Sequence, residues 1–146
     1  MTANYEGLAA ELLQVNEALL QDPTRRLLSQ LTKGEHFVLN YLLTHQSQTH
    51  PAQLSRHMAV STARVAALLG RMEDKGLLSR VPDPLNNRQV NVTLSPQGLQ
   101  AIQAFRSQVL SATTQMLAQL GPEDAREYLR LQKKLLSRLP LRQATG

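Results

Sequence analysis

The side chains with the most chemical potential stand in one short run. Ser61, Thr62 and Arg64 open a segment whose apolar residues, Val65, Leu68, Leu69 and Met72, recur at helical spacing on the other side. Ser61 is a good N-cap and Gly76 is placed for the C-cap, which predicts a helix from Ser61 to Lys75. The polar groups include no nucleophile–base arrangement. They are donors and acceptors of the kind that meet base edges when the polar N-terminal end of a narrow helix enters the major groove of DNA. Ala66 and Ala67 are small enough to let the backbone approach, and an alanine methyl such as that of Ala67 can touch a thymine methyl. Arg71, two turns on, is placed for a base or a phosphate. Gln53 and Ser55, with the amides of the segment that begins at Pro51, are candidates for phosphate contacts. Asn86, Asn87 and Arg88 form a second polar group with one positive charge, suited to the enhanced negative potential of a narrow minor groove.

Positioning these groups requires a particular order of elements. Leu8 to Leu31 has helical apolar spacing, with a break expected at Asp22-Pro23. Thr32-Lys33-Gly34-Glu35 fits a capping box, in which the Thr32 hydroxyl bonds the Glu35 amide, opening a helix that buries Phe37, Val38, Tyr41 and Leu42 and stops near His45. Gln46 to Thr49 reads as a polar connection, and Pro51 to Met58 as a short helix with His50 as its cap. Two helices separated by three or four residues have helix-turn-helix spacing. Leu77 to Val81 is strand-like, Pro82 to Asn87 is dense in turn formers, and Gln89 to Leu94 alternates strictly, with Val90, Val92 and Leu94 inward. Ser95-Pro96 then opens a long helix to Leu120, and Gly121-Pro122 restarts a last one to about Leu139.

The reading is thus mainly α with a small β-hairpin wing: a winged helix-turn-helix at 33–95, flanked by long helices at 1–32 and 96–146, all one domain. The 146 residues are 42% hydrophobic but only 3% aromatic, which suits helices packed with Leu, Ala and Val better than a sheet sandwich. The formal charge of +5 is unevenly distributed: residues 1–32 carry two Arg against four acids, whereas both later segments are net basic. The terminal helices carry more apolar surface than a lone chain comfortably buries, which points to a homodimer. No run approaches the roughly 18–20 apolar residues of a membrane span, and the N-terminus lacks a signal peptide's basic start and apolar run, so a soluble, cytoplasmic protein is expected. With no cysteine, thiolate metal sites and thiol redox sensing are excluded.

Four stretches sharpen this: Leu31 to Leu39, Gln53 to Ser61, Met72-Glu73-Asp74-Lys75-Gly76-Leu77-Leu78-Ser79-Arg80, and Asp83 to Gly98. In them the sequence resembles the MarR/SlyA family of bacterial regulators over nearly its whole length. The last two stretches are the most characteristic, because few other winged helices join Glu-x-x-Gly-Leu-x-x-Arg to such a wing and a Leu-Ser-x-x-Gly exit. The resemblance implies a homodimer held by the terminal helices, with each wing reaching the DNA beside its recognition helix. It also implies a small, often aromatic or anionic, ligand in a crevice between the terminal helices and the winged portion. By position, Arg25, Arg26, His36, Phe37 and Tyr41 would line that crevice. Two departures stand out. Asn86 replaces a common wing acid, which loosens the hold on Arg88 but removes a charge repelled by phosphate. Ala66-Ala67 replaces a common Ser/Thr-Arg, which leaves base reading to Arg64.

His36, His45, His50 and His57 show no close ligand arrangement with carboxylates, so no metal is expected. No cofactor is implied. There is no phosphate-binding glycine loop or catalytic carboxylate pair, and Glu35, Glu123 and Asp124 sit at helix starts where the dipole accounts for them, so an enzyme is not expected. The chain reads as a DNA-binding transcriptional regulator, a repressor on an inverted-repeat operator released by an effector. The rival is an antirepressor-like winged helix that binds a protein partner without tight DNA contact, for which Asn86 and Ala66-Ala67 are the best support.

Overall fold

Most helix starts in this chain are set by a polar side chain or a proline just ahead of an apolar-periodic segment. The computed structural model describes residues 3–45 and 48–140. Asn4 caps α1 (Tyr5–Leu19) by accepting from the Gly7 amide at 3.0 Å. The expected break falls at Asp22-Pro23, where Pro23 lacks an N–H and Asp22 accepts from the Thr24 amide at 2.9 Å to start α2 (Pro23–Gln30).

The capping box expected at Thr32 does not form. The chain turns through Gly34 at φ +63°, so α3 (Gly34–Thr44) starts with Lys33 at its N-cap, and the Thr32 hydroxyl donates back to the Ser29 carbonyl at 2.6 Å. Glu35 instead accepts from Lys75 Nζ at 2.7 Å. As expected, α3 buries Val38, Tyr41 and Leu42 and ends before His45; Phe37 is half-buried.

The segment read as a polar connection contains a strand. Gln46 and Ser47 lie outside the described residues, but β1 (Gln48–Thr49) pairs antiparallel with β3 (Asn86–Leu94), Gln48 opposite Thr93 and Thr49 opposite Val92. A two-residue strand has no period for the sequence to display. The sheet has the order β1-β3-β2, with β2 (Leu78–Asp83) on the far edge. The turn at the wing tip is also shorter than expected. Pairing continues to Pro82 opposite Val90 and Asp83 opposite Asn86, leaving only Pro84-Leu85 to turn, with a register shift between Pro82 and Asp83. Pro82 is tolerated because β2 is an edge strand, where a missing N–H breaks no ladder. The strand face expected to be inward is buried only at its base: Val92 is 0% exposed and Leu94 half-buried, whereas Val90 is 37% exposed because the hairpin extends past the core.

Between the sheet strands lie α4 (Pro51–Met58) and α5 (Thr62–Asp74), joined through Ala59 in left-handed backbone at φ 56°. Their inner faces, Leu54 and Val65, Leu69 and Met72, close over Val38 and Leu42 of α3 and over Leu78 and Val92 of the sheet. The long α6 (Pro96–Leu120) adds Ile102, Phe105 and Val109 to the same core, and α7 (Pro122–Arg138) follows. Away from that core, Leu8, Leu12, Leu13 and Val15 on α1 and Leu135 and Leu136 on α7 are each at least half exposed. No described helix is long and apolar enough to cross a membrane.

One junction fixes how the long helix leaves the sheet. The Ser95 hydroxyl accepts from the Gly98 amide at 2.9 Å and donates to the Gly76 carbonyl at 2.6 Å, while the Ser95 amide donates to the Leu77 carbonyl at 3.1 Å. A Cβ on Gly98 would overlap the Leu77 carbonyl, a backbone atom that cannot swing aside. Gly98→Ala should therefore lose about 2 kcal/mol of stability despite alanine's better helix propensity, because overpacking at a fixed backbone outweighs it. Urea denaturation checks this, and a variant as stable as the parent would contradict it.

Candidate nucleic-acid interface

The exposed face of α5 is organised as the sequence predicts. Val65, Leu69 and Met72 are buried, and Ser61, Thr62, Arg64, Ala67 and Arg71 are all exposed. Arg64, Ala67 and Arg71 are spaced three and four apart, so they line one stripe of the helix. Ser61 Oγ accepts from the Arg64 amide at 3.2 Å, which leaves the hydroxyl hydrogen free for a second partner.

On the wing, Asn86 and Arg88 are exposed members of β3 rather than of the turn itself. The Asn86 amide oxygen accepts from the Arg88 backbone N–H at 3.1 Å. The uncharged Asn86 therefore fixes the Arg88 backbone, while the guanidinium has no hydrogen-bond partner among the described residues. The side chain of Asn87 lies outside the described residues.

Gln53 and Ser55 have other work. Gln53 Oε1 accepts from the Thr49 hydroxyl at 2.7 Å and from the His50 amide at 3.1 Å, which ties β1 to the start of α4. Ser55 Oγ donates to the Val60 carbonyl at 2.6 Å and fixes the α4–α5 turn. Only the Gln53 NH2 group is without one of these bonds, so both residues act on the helix pair before any phosphate.

The basic residues from α5 through the hairpin divide into two sets. Lys75 is paired with Glu35, and Arg80 with Glu73 at 3.2 Å. Arg64, Arg71 and Arg88 have no carboxylate partner among the described residues. The Glu73 contact is the physical content of the Glu-x-x-Gly-Leu-x-x-Arg pattern, which the sequence displayed without explaining. Glu73 Oε2 accepts from the Arg80 backbone N–H at 2.8 Å and Oε1 from its guanidinium, so one carboxylate joins α5 to β2. The Arg80 amide, then its side chain, hold the Glu73 carboxyl below the usual carboxylate range, against a smaller opposing effect of burial.

The five residues expected in an effector crevice are not brought together. His36 packs against Phe105 with centroids 4.0 Å apart and the rings tilted by 30°, Phe37 lies against Tyr41 at 5.9 Å, and Tyr41 is part of the core. Arg26 bonds exposed Gln21 at 2.9 Å. Only Arg25 lines a cavity of about 440 Å³, where α2 meets α6 and α7 among Leu19, Met116, Leu120 and Tyr128. Arg25 Nη2 donates to the Tyr128 hydroxyl at 3.3 Å. Tyr128 was missed because nothing in the local sequence of α7 shows that it returns to α2.

A helix-turn-helix whose second helix runs directly into an antiparallel hairpin, with exposed cations on both, defines a winged helix-turn-helix protein. Residues 29–89 match the model of the MarR family. The HTH-type transcriptional repressor Rv2887 of Mycobacterium tuberculosis is 27% identical over 99 residues, covering 68% of this chain and 71% of that protein. A MarR family protein from Bacillus stearothermophilus superposes with a TM-score of 0.74 at 23% identity, over 93% of this chain and 97% of that one. MepR, a transcription regulator of a Staphylococcus aureus multidrug efflux pump, gives 0.70 at 23% identity over 88% and 96%. The winged-helix portion of this chain is thus similar to the MarR family, and the solved structures share its fold.

The depressed Glu73 acidity has a sign that can be checked. A carboxyl held low in the folded state stabilises it above the ordinary carboxylate range, and that contribution disappears as pH falls through the folded-state value. Glu73→Gln should thus be less stable than the parent at neutral pH, with the gap narrowing on acidification below about pH 4. Thermal melts across that range measure it, and a gap that stays constant with pH would contradict the assignment.

Proposed function

We propose that the protein is a DNA-binding transcriptional regulator, a homodimeric repressor acting on an inverted-repeat operator in the cytoplasm, and a binding protein rather than an enzyme. The observation that carries this reading is the division of cations on α5 and the hairpin. Those at the base of the winged helix are neutralised by Glu35 and Glu73, whereas Arg64, Arg71 and Arg88 stand exposed on the two elements that meet DNA. The name of the mycobacterial relative supports it. Residues 33–95 would form the DNA-binding portion. The exposed apolar residues of α1 and α7 would join two copies, placing recognition helices in successive major grooves about 10 bp apart.

Fluorescence anisotropy against the chain's own upstream DNA tests this. Binding should involve two protomers per operator and weaken steeply with salt as phosphate counterions are displaced. Arg64→Ala should cost about 1–3 kcal/mol and relax sequence preference, and Arg88→Ala more than about 1 kcal/mol. Flat, sequence-independent binding unaffected by Arg64→Ala would favour the protein-partner module instead.

A second reading rests on the cavity beside Arg25. A pocket of about 440 Å³ with an apolar wall, the Arg25 guanidinium and the Tyr128 hydroxyl suits a small aromatic anion whose charged group lies on Arg25 and away from the Asp22 carboxylate at the rim. Such an effector would release the operator. In a titration with small aromatic carboxylates, DNA release should be lost in Arg25→Gln while DNA affinity without ligand stays unchanged. Equal release from parent and variant would place the effector elsewhere.

A further inference from the structure

The histidine ahead of α4 contacts the wing. His50 occupies the N-cap of α4 with extended backbone, where its N–H donates to Gln53 Oε1 and its carbonyl accepts from the Gln53 amide at 3.0 Å. Its ring crosses to the hairpin: Nδ1 lies 3.0 Å from the Val90 carbonyl on β3, and Nε2 lies 3.8 Å from Asp83 Oδ2 on β2. A carbonyl only accepts, so Nδ1 carries the proton in this contact and donates it. The other Asp83 oxygen accepts from the Leu85 amide at 2.9 Å, which holds the wing-tip turn. The Asp83 side chain is only 14% exposed although it stands near the tip. One imidazole thus bonds β3 and lies beside β2 where Val90 and Pro82 have left the apolar core.

We infer that His50 is a positioning residue for DNA binding, a strap that sets the angle of the wing against the helix-turn-helix and so places Arg88. The physical reason is that the outer wing has little else to hold it. Its base is fixed by Val92, by Leu94 and by the Glu73–Arg80 contact. Beyond Val92 the hairpin is mostly exposed, and a two-stranded ribbon with no apolar face in contact is marginal by itself. Val90, whose carbonyl accepts the imidazole hydrogen bond, is two residues from Arg88, so the strap acts close to the side chain it would aim. Gln53 secures the frame from which the strap reaches, since its amide oxygen holds the His50 backbone N–H. The inference rests on the regulator reading for its functional part, and on the geometry alone for its structural part.

Two measurements on the full chain separate these parts. In the free protein, His50→Ala should speed amide hydrogen exchange in the wing over residues 81–90 while α5 and α6 keep their protection. Unchanged exchange in the wing overturns the strap whatever the protein binds. In anisotropy titrations, His50→Ala should weaken operator binding about five-fold, the loss expected from one hydrogen bond. His50→Asn, whose amide can donate to the Val90 carbonyl, should restore most of the affinity. The double variant with Arg88→Ala should bind no worse than Arg88→Ala alone, because both changes remove the same wing contact. Losses that multiply, or no rescue by asparagine, overturn the positioning role. If the parent binds no upstream DNA while the wing exchange responds to His50→Ala, the regulator reading fails and the strap stands.

Discussion

The structure turns on the close approach of α6 to the Gly76-Leu77 backbone. At this point α5 ends, the wing begins and α6, the longest described helix, departs. Gly76 turns at φ +77°, and its amide and that of Leu77 satisfy the Glu73 and Met72 carbonyls at 2.9 and 3.0 Å. Ser95 then bonds back to both Gly76 and Leu77, and Gly98 has no side chain to hold α6 away. Three elements therefore share one backbone knot, with no loop between them to absorb a change of angle. The direction of α5 relative to α6 follows from that knot, as does the direction in which the wing projects.

Around it, charge is arranged by function of place. Lys75 and Arg80 lie near the knot and are each matched by an acid, on α3 and α5 respectively. Exposed pairs of this kind contribute little stability individually. Their geometric effect is larger, because Glu73 engages a backbone N–H as well as a guanidinium and so constrains the strand and not merely a flexible side chain. Arg64, Arg71 and Arg88 are left free of such partners among the described residues, and a phosphate would not have to displace an acid to reach them.

The parts legible in the sequence were those with local chemistry. Asp22-Pro23, Ser61 and Ser95-Pro96 each put a cap or a missing donor at the place it was needed, and each helix began there. Thr32 carried the same signal and failed, because the left-handed Gly34 moved the helix start beyond its reach. What could not be read was whatever depends on distant pairing. β1 exists because β3 has a free edge, Val90 is exposed because the hairpin outruns the core, and Tyr128 meets Arg25 only when α7 folds back. The exposed face of α5 was legible because it is the complement of an apolar stripe; the crevice residues were scattered because position along the chain does not specify a cavity wall.

That cavity and the knot lie at opposite ends of one helix. α6 has 25 residues, about 37 Å at 1.5 Å per residue, with the cavity lined by its last turns and Ser95–Gly98 at its start. Between them the helix is held to α3 by Ile102, Phe105 and Val109 in the core, by the His36–Phe105 contact and by Arg106 donating to Asn40 at 2.6 Å. A rod anchored in its middle responds to a push at one end by tilting, not by bending locally. The knot leaves α5 and the wing base no freedom to lag behind that tilt. If the cavity is where the proposed effector enters, its effect on DNA affinity is then a rigid-body rotation of the reading elements about the α3–α6 contact. The outer wing, held by His50 to the α4 side, would have to turn with them.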